Sequence, residues 1–126
     1  MFDSKKPTVL LLGRWQPWHG GHFALFERAI KKTGQVAILV RDLFDKGDKD
    51  NPFKPEIVFK RIEQELYKKD YIRGEHYEIF LVPNITNITY GRDVGYSLEE
   101  EEFDEETKSI SATQIRKKMR EEGKLS

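Results

Sequence analysis

The sequence predicts an α/β fold: a Rossmann-like open sheet of about five mainly parallel strands with about three helices, in a single domain spanning residues 1–126. Three observations carry this expectation. Two continuous apolar runs, residues 8–12 and 36–40, read as strands covered on both faces. Between them lies a segment with helical periodicity, a spacing that fits a right-handed strand–helix–strand crossover. Further strand-like and helix-like segments then follow in alternation.

The first helix is expected over residues 21–32. Phe23, Phe26, Ala29 and Ile30 recur at spacings of three and four and give it a buried stripe. Lys31 and Lys32 suit the negative end of its dipole, and Gly34 suits the position just past its end. Residues 43–54 form a polar loop leaving the second strand. Pro55 fits the first position of a second helix with Val58, Ile62 and Leu66 on one face. Residues 77–82 read as a third strand. Residues 88–90 are expected as a short fourth strand and residues 96–98 as a fifth. Residues 111–122 are expected as a last helix, with Ser111 and Gln114 forming a capping box and Ile115 and Met119 an apolar pair.

Composition narrows the function classes. A chain of 126 residues suggests one domain. Its 22 basic and 22 acidic residues cancel, whereas a nucleic-acid binder is more often clearly basic. With no cysteine there is no disulfide, no thiolate metal site and no cysteine nucleophile. The opening residues show no apolar secretion signal, and no apolar run approaches the ~18 residues needed to span a bilayer. A cytoplasmic protein with no nucleic-acid or membrane partner is the expectation. The acidic run from Glu99 to Glu106 reads as a solvated segment.

The chemistry concentrates at residues 13–22, Gly-Arg-Trp-Gln-Pro-Trp-His-Gly-Gly-His, where the first strand hands over to the first helix. In open α/β sheets ligands bind at the carboxyl ends of the strands. A helix start offers unpaired N–H groups and partial positive charge. Glycines admit close backbone approach. His19 and His22, three apart, can both address what binds there, with Arg14 as a guanidinium fork. These residues point to a polyphosphate. The imidazoles can be cationic beside so much negative charge. A histidine pair can also bind zinc or cap the helix, but no third metal ligand type is nearby. His76 reads as an ordinary surface residue.

The same stretch resembles the G-R-F-Q-P-x-H-x-G-H signature of the HxGH nucleotidyltransferases, a cytidylyltransferase-like superfamily. It includes nicotinamide-mononucleotide and phosphopantetheine adenylyltransferases and glycerol-phosphate cytidylyltransferases. Residues 110–116, Ile-Ser-Ala-Thr-Gln-Ile-Arg, resemble the family's I-S-[ST]-T-x-I-R motif. The two motifs cover about 17 residues, in the family's order.

The resemblance implies transfer of a nucleoside monophosphate from a nucleoside triphosphate to a small phosphorylated acceptor, with release of pyrophosphate. Adenylyl transfer is favoured over cytidylyl transfer by residues 13–17. The implied catalytic residues are His19, His22 and Arg116. Nucleotide binding is implied for Gly13, Arg14, Trp15, Gly21, Tyr90, Gly91, Arg92, Ser111 and Thr113, with Trp15 equally readable as a pocket wall. Asp42, Lys46, Lys49 and Lys54 are the acceptor-side candidates. Magnesium is expected on the triphosphate and no metal site on the protein. Homo-oligomers are typical of the family.

Two departures stand out. Asn51-Pro52-Phe53 matches archaeal nicotinamide-mononucleotide adenylyltransferases, but the arginine that follows it there by a few positions is replaced here by Glu56-Ile57-Val58. Those enzymes also carry a helix between strands three and four, where this chain has only residues 83–87. A non-catalytic nucleotide-binding module is the alternative that this shortened region motivates.

Overall fold

The computed structural model describes residues 1–44, 51–91, 95 and 97–99. Three strands, β1 (Val9–Gly13), β2 (Val36–Arg41) and β3 (Tyr77–Val82), alternate with two helices, α1 (Gly20–Thr33) and α2 (Pro55–Tyr67). The strands are parallel throughout, in the order β1-β2-β3. The register sets Leu11 beside Ile38 and Ile38 beside Ile79. The α/β class and the parallel sheet are thus as expected, with three strands and two helices among the described residues.

One face of the sheet makes the core. Leu11, Val36, Ile38, Val40, Tyr77 and Ile79 are buried against Phe26 and Ala29 of α1 and Val58, Ile62 and Leu66 of α2. Phe26 is fully buried and meets Tyr71 and Tyr77 edge-on, with ring centroids 5.0 and 5.8 Å away. Truncating such a side chain to alanine costs about 3–5 kcal/mol. The opposite sheet face is thinly covered, since Leu10 and Phe80 are exposed.

Helix ends follow local chemistry. Lys31 and Lys32 occupy the last turn of α1, and Gly34 at φ 85° closes it through an N–H bond to the Ile30 carbonyl. Only a residue without Cβ takes that left-handed conformation at no steric cost. Pro55 occupies the start of α2, where its missing N–H has no helical partner to lose.

Residues 88–90 are not a strand. They pair with nothing in the sheet, and Ile88 and Tyr90 are exposed. The physical reason is length: a parallel crossover needs about 10–12 residues or more, and residues 83–87 provide far fewer. Of the expected fifth strand, Ser97 and Leu98 are described and belong to no strand. Glu99, from the acidic run, pairs with Lys32 at 2.5 Å. The expected helix over residues 111–122 lies outside the described residues. No helix among those described is long and apolar enough to cross a membrane.

Candidate functional site

The carboxyl end of β1 runs into α1 through six residues, 14–19, of which four in a row, Trp15 to Trp18, are buried. Trp15 adopts φ 54°, a left-handed backbone that a bulky side chain rarely takes. Such conformations persist where the surroundings over-determine them, and they cluster at ligand sites. Here the indole N–H donates to the Leu39 carbonyl at 3.0 Å, and the ring packs 5.3 Å from Trp18 and 4.7 Å from His22.

This placement bears on two expectations. Trp15 is only 3% exposed and packs between β2 and α1, which fits the second of its two expected readings, a pocket wall. Gly13 was expected to let a ligand approach the backbone. A Cβ there would lie 2.9 Å from two carbons of the Trp15 ring, so glycine is required by this internal contact.

Two side chains, Gln16 in the loop and Arg61 on α2, tie the loop to its surroundings. Gln16 is buried, and its amide both donates to the Phe53 carbonyl (3.1 Å) and accepts from the Phe53 N–H (2.9 Å). That double bond imitates a rung of sheet and ties the loop to the segment entering α2. Arg61 of α2 donates through Nε to the Trp18 carbonyl at 3.1 Å.

His19 and His22 are held by the helix start itself. His19 is the N-cap of α1, in extended conformation. Its Nδ1 accepts the Gly21 N–H at 3.0 Å, while its own backbone N–H donates to Nδ1 of His22 at 3.2 Å. The two rings stack with centroids 3.7 Å apart. Because both Nδ1 atoms accept, each neutral ring carries its proton on Nε2, an assignment that follows from the hydrogen-bond network.

The electrostatics agree. Burial lowers the His19 pKa, and the neighbouring Arg61 charge lowers it further. Burial lowers His22 to about 3, with His19 adding to the effect. At neutral pH the pair is therefore uncharged, and its two Nε2–H groups are donors not used by the cap. Protonation would need a nearby anion. The first turn of α1 contains no acid, so apart from the imidazole cap no negative charge within the helix answers its positive end.

The remaining expected residues are spread around this centre. Arg14 is half-buried at the end of β1 and Gly21 lies in the first turn of α1. Asp42 is exposed at the end of β2, with its N–H on the Val82 carbonyl at 2.8 Å. Lys54 is the N-cap of α2, exposed and making no side-chain cap bond. Tyr90 and Gly91 are exposed in the segment after β3, and a Cβ on Gly91 would meet open space. Lys46, Lys49, Arg92, Ser111, Thr113 and Arg116 lie outside the described residues. Among the described residues no three His, Asp or Glu side chains gather as metal ligands. His76 is half-buried, not a plain surface residue, and its Nδ1 accepts the Ile72 N–H at 2.9 Å.

Sequence reasoning missed Arg61 and Gln16. Arg61 borders the apolar stripe of α2, next to Ile62, and nothing in that pattern separates it from a solvated arginine. Gln16 stands inside the motif, but its partner is a backbone 37 residues away, which no local pattern encodes. No family model matches the chain, and no curated protein matches it.

Proposed function

We propose that the chain is a nucleotidyltransferase that moves a nucleoside monophosphate from a nucleoside triphosphate to a small phosphorylated acceptor. The observation that carries this reading is the reciprocal His19–His22 cap at the carboxyl end of β1, with both Nε2–H groups left as donors. An acceptor phosphate oxygen attacks the α-phosphorus. A new P–O bond forms as the bond to the β-phosphate oxygen breaks, and pyrophosphate leaves with its electrons. Such phosphoryl chemistry needs positioning and charge stabilisation more than a covalent intermediate.

Neutral imidazoles serve as hydrogen-bond donors to the α-phosphate oxygens and the departing oxygen. The acid-free start of α1 and Arg14 add positive potential. In the family-like assignment Ser111, Thr113 and Arg116 hold the β- and γ-phosphates, and Gly91 and Arg92 line the base. Magnesium, riding on the triphosphate, supplies charge neutralisation there. Adenylyl transfer is favoured over cytidylyl transfer by the Gly13-Arg14-Trp15-Gln16-Pro17 signature. A homo-oligomer is part of the proposal.

Pyrophosphate release tests it. ATP, CTP, GTP and UTP are crossed with nicotinamide mononucleotide, phosphopantetheine, glycerol phosphate, choline phosphate and sugar phosphates, in magnesium. Release with one pair names both substrates. A second reading, a nucleotide-binding module without turnover, is favoured by the exposed coil at residues 83–90, where the related enzymes build acceptor contacts. Triphosphate binding with silence across the panel would select it. No triphosphate binding at all would end both readings.

A further inference from the structure

Arg61 stands out for the charge it carries beside the β1–α1 loop. Its Nε is moored on the Trp18 carbonyl at 3.1 Å, directly before His19. Among the described residues no carboxylate pairs with it. Glu65, one turn along α2 and suitably spaced, bonds Lys68 at 3.5 Å instead. Half-buried arginines are ordinarily neutralised, since an uncompensated charge away from water costs free energy. A guanidinium held through Nε has two Nη groups left, the fork that matches phosphate oxygens.

Beside it lies a cavity of about 360 Å³, lined among others by Trp15, Pro17, Phe53, Ile57, Lys60 and Arg61. That volume is in the range of small-molecule sites. Its lining is mixed: Trp15, Pro17, Phe53, Ile57 and Val58 are apolar, Lys60 and Arg61 are basic, and Gln64 and the acidic Glu65 complete it. It opens between the β1–α1 loop and α2, the helix that follows the segment leaving β2. The family-like assignment of Ser111, Thr113 and Arg116 to the β- and γ-phosphates, by contrast, uses residues after β3.

From this arrangement we infer that Arg61 binds the phosphate monoester of the acceptor, and that the cavity between the 15–17 loop and α2 seats an acceptor body with an apolar or planar portion. The inference rests on the nucleotidyltransferase reading and deepens it.

Inorganic phosphate is the probe, read by the NMR shift of the His19 ring, with the Kd of ATP and CTP measured in parallel. Arg61→Gln should weaken phosphate about tenfold to a hundredfold, with the triphosphate Kd within roughly threefold of wild type. Arg61→Lys keeps the charge and should recover part of the loss, and unchanged thermal melting of both variants excludes a folding defect. Equal phosphate affinity in wild type and Arg61→Gln overturns the assignment. So does an equal weakening of phosphate and triphosphate, which would make Arg61 a triphosphate clamp. Failure of the broader reading looks different: wild type then binds no triphosphate, whatever phosphate does.

Discussion

α1 begins with Gly20-Gly21, carries no acid in its first turn, and takes its cap from two histidines that bond each other's end of the turn. α2 begins with Pro55-Glu56 after a lysine that makes no side-chain cap bond. Both helices leave parallel strands of one sheet, so both direct a positive end toward the same edge of the molecule. In α2 the Glu56 carboxylate sits within that end and answers it. In α1 no acid of the first turn does, and its first two residues are glycines. The difference teaches that the fold supplies two helix starts of like polarity and the sequence places an acid in only one of them.

The largest expected break comes at the open end. His22→Ala removes a donor and half of the cap, and should lower pyrophosphate release by about 10²–10³-fold, as loss of a transition-state donor does elsewhere. Unchanged turnover would remove the histidines from the mechanism. Next in size is Gly13→Ala. The new methyl meets the Trp15 ring, and overpacking of this kind costs about 1–3 kcal/mol. Chemical denaturation should show it, and an unaltered midpoint would mean that the indole does not rest on Gly13.

Acid should loosen the open end in a graded way. The unfolded His22 titrates near 6.5, the folded one near 3, so between these values the unfolded state binds more protons. This contribution to stability is complete above pH 6.5 and is lost as pH falls toward 3. One such group gives at most about 1.4 kcal/mol per pH unit. Thermal melting from pH 7 to pH 4 reads it, and His22→Asn should flatten the slope. If the variant keeps the full slope, other groups carry the effect. The smallest effects test the comparison directly. Gly20→Asp gives α1 the acid that α2 already has and should stabilise the fold by about 0.3–1 kcal/mol while weakening triphosphate binding. Glu56→Gln should lose a similar amount of stability and leave triphosphate binding intact. Equal ligand effects from the two would mean that the helix ends are interchangeable.

Periodicity carried the sheet and both helices. Phe26, Ala29, Val58, Ile62 and Leu66 are all buried where spacing put them, and the ends of α1 differ by one residue from the expected 21–32. These features are legible because they depend on neighbours three or four positions away. Residues 88–90 misled because three β-favouring residues look like a strand whether or not a partner can be reached. At the site, the motif located His19 and His22, but not their shared cap or their neutrality. Neutrality depends on burial under Trp15 and Trp18 and on Arg61, contacts spanning the chain. Trp15 was the ambiguous residue for the same reason: its partner is a carbonyl on β2.

The chain has two tryptophans, and both lie in ring contact with His22, at 4.7 and 5.6 Å. A protonated imidazole quenches indole emission far better than a neutral one. The protein's own ultraviolet fluorescence is therefore a gauge of the charge on this histidine, needing no dye or label. Dimming at constant pH would announce an anion arriving at the pair, at the speed at which it arrives.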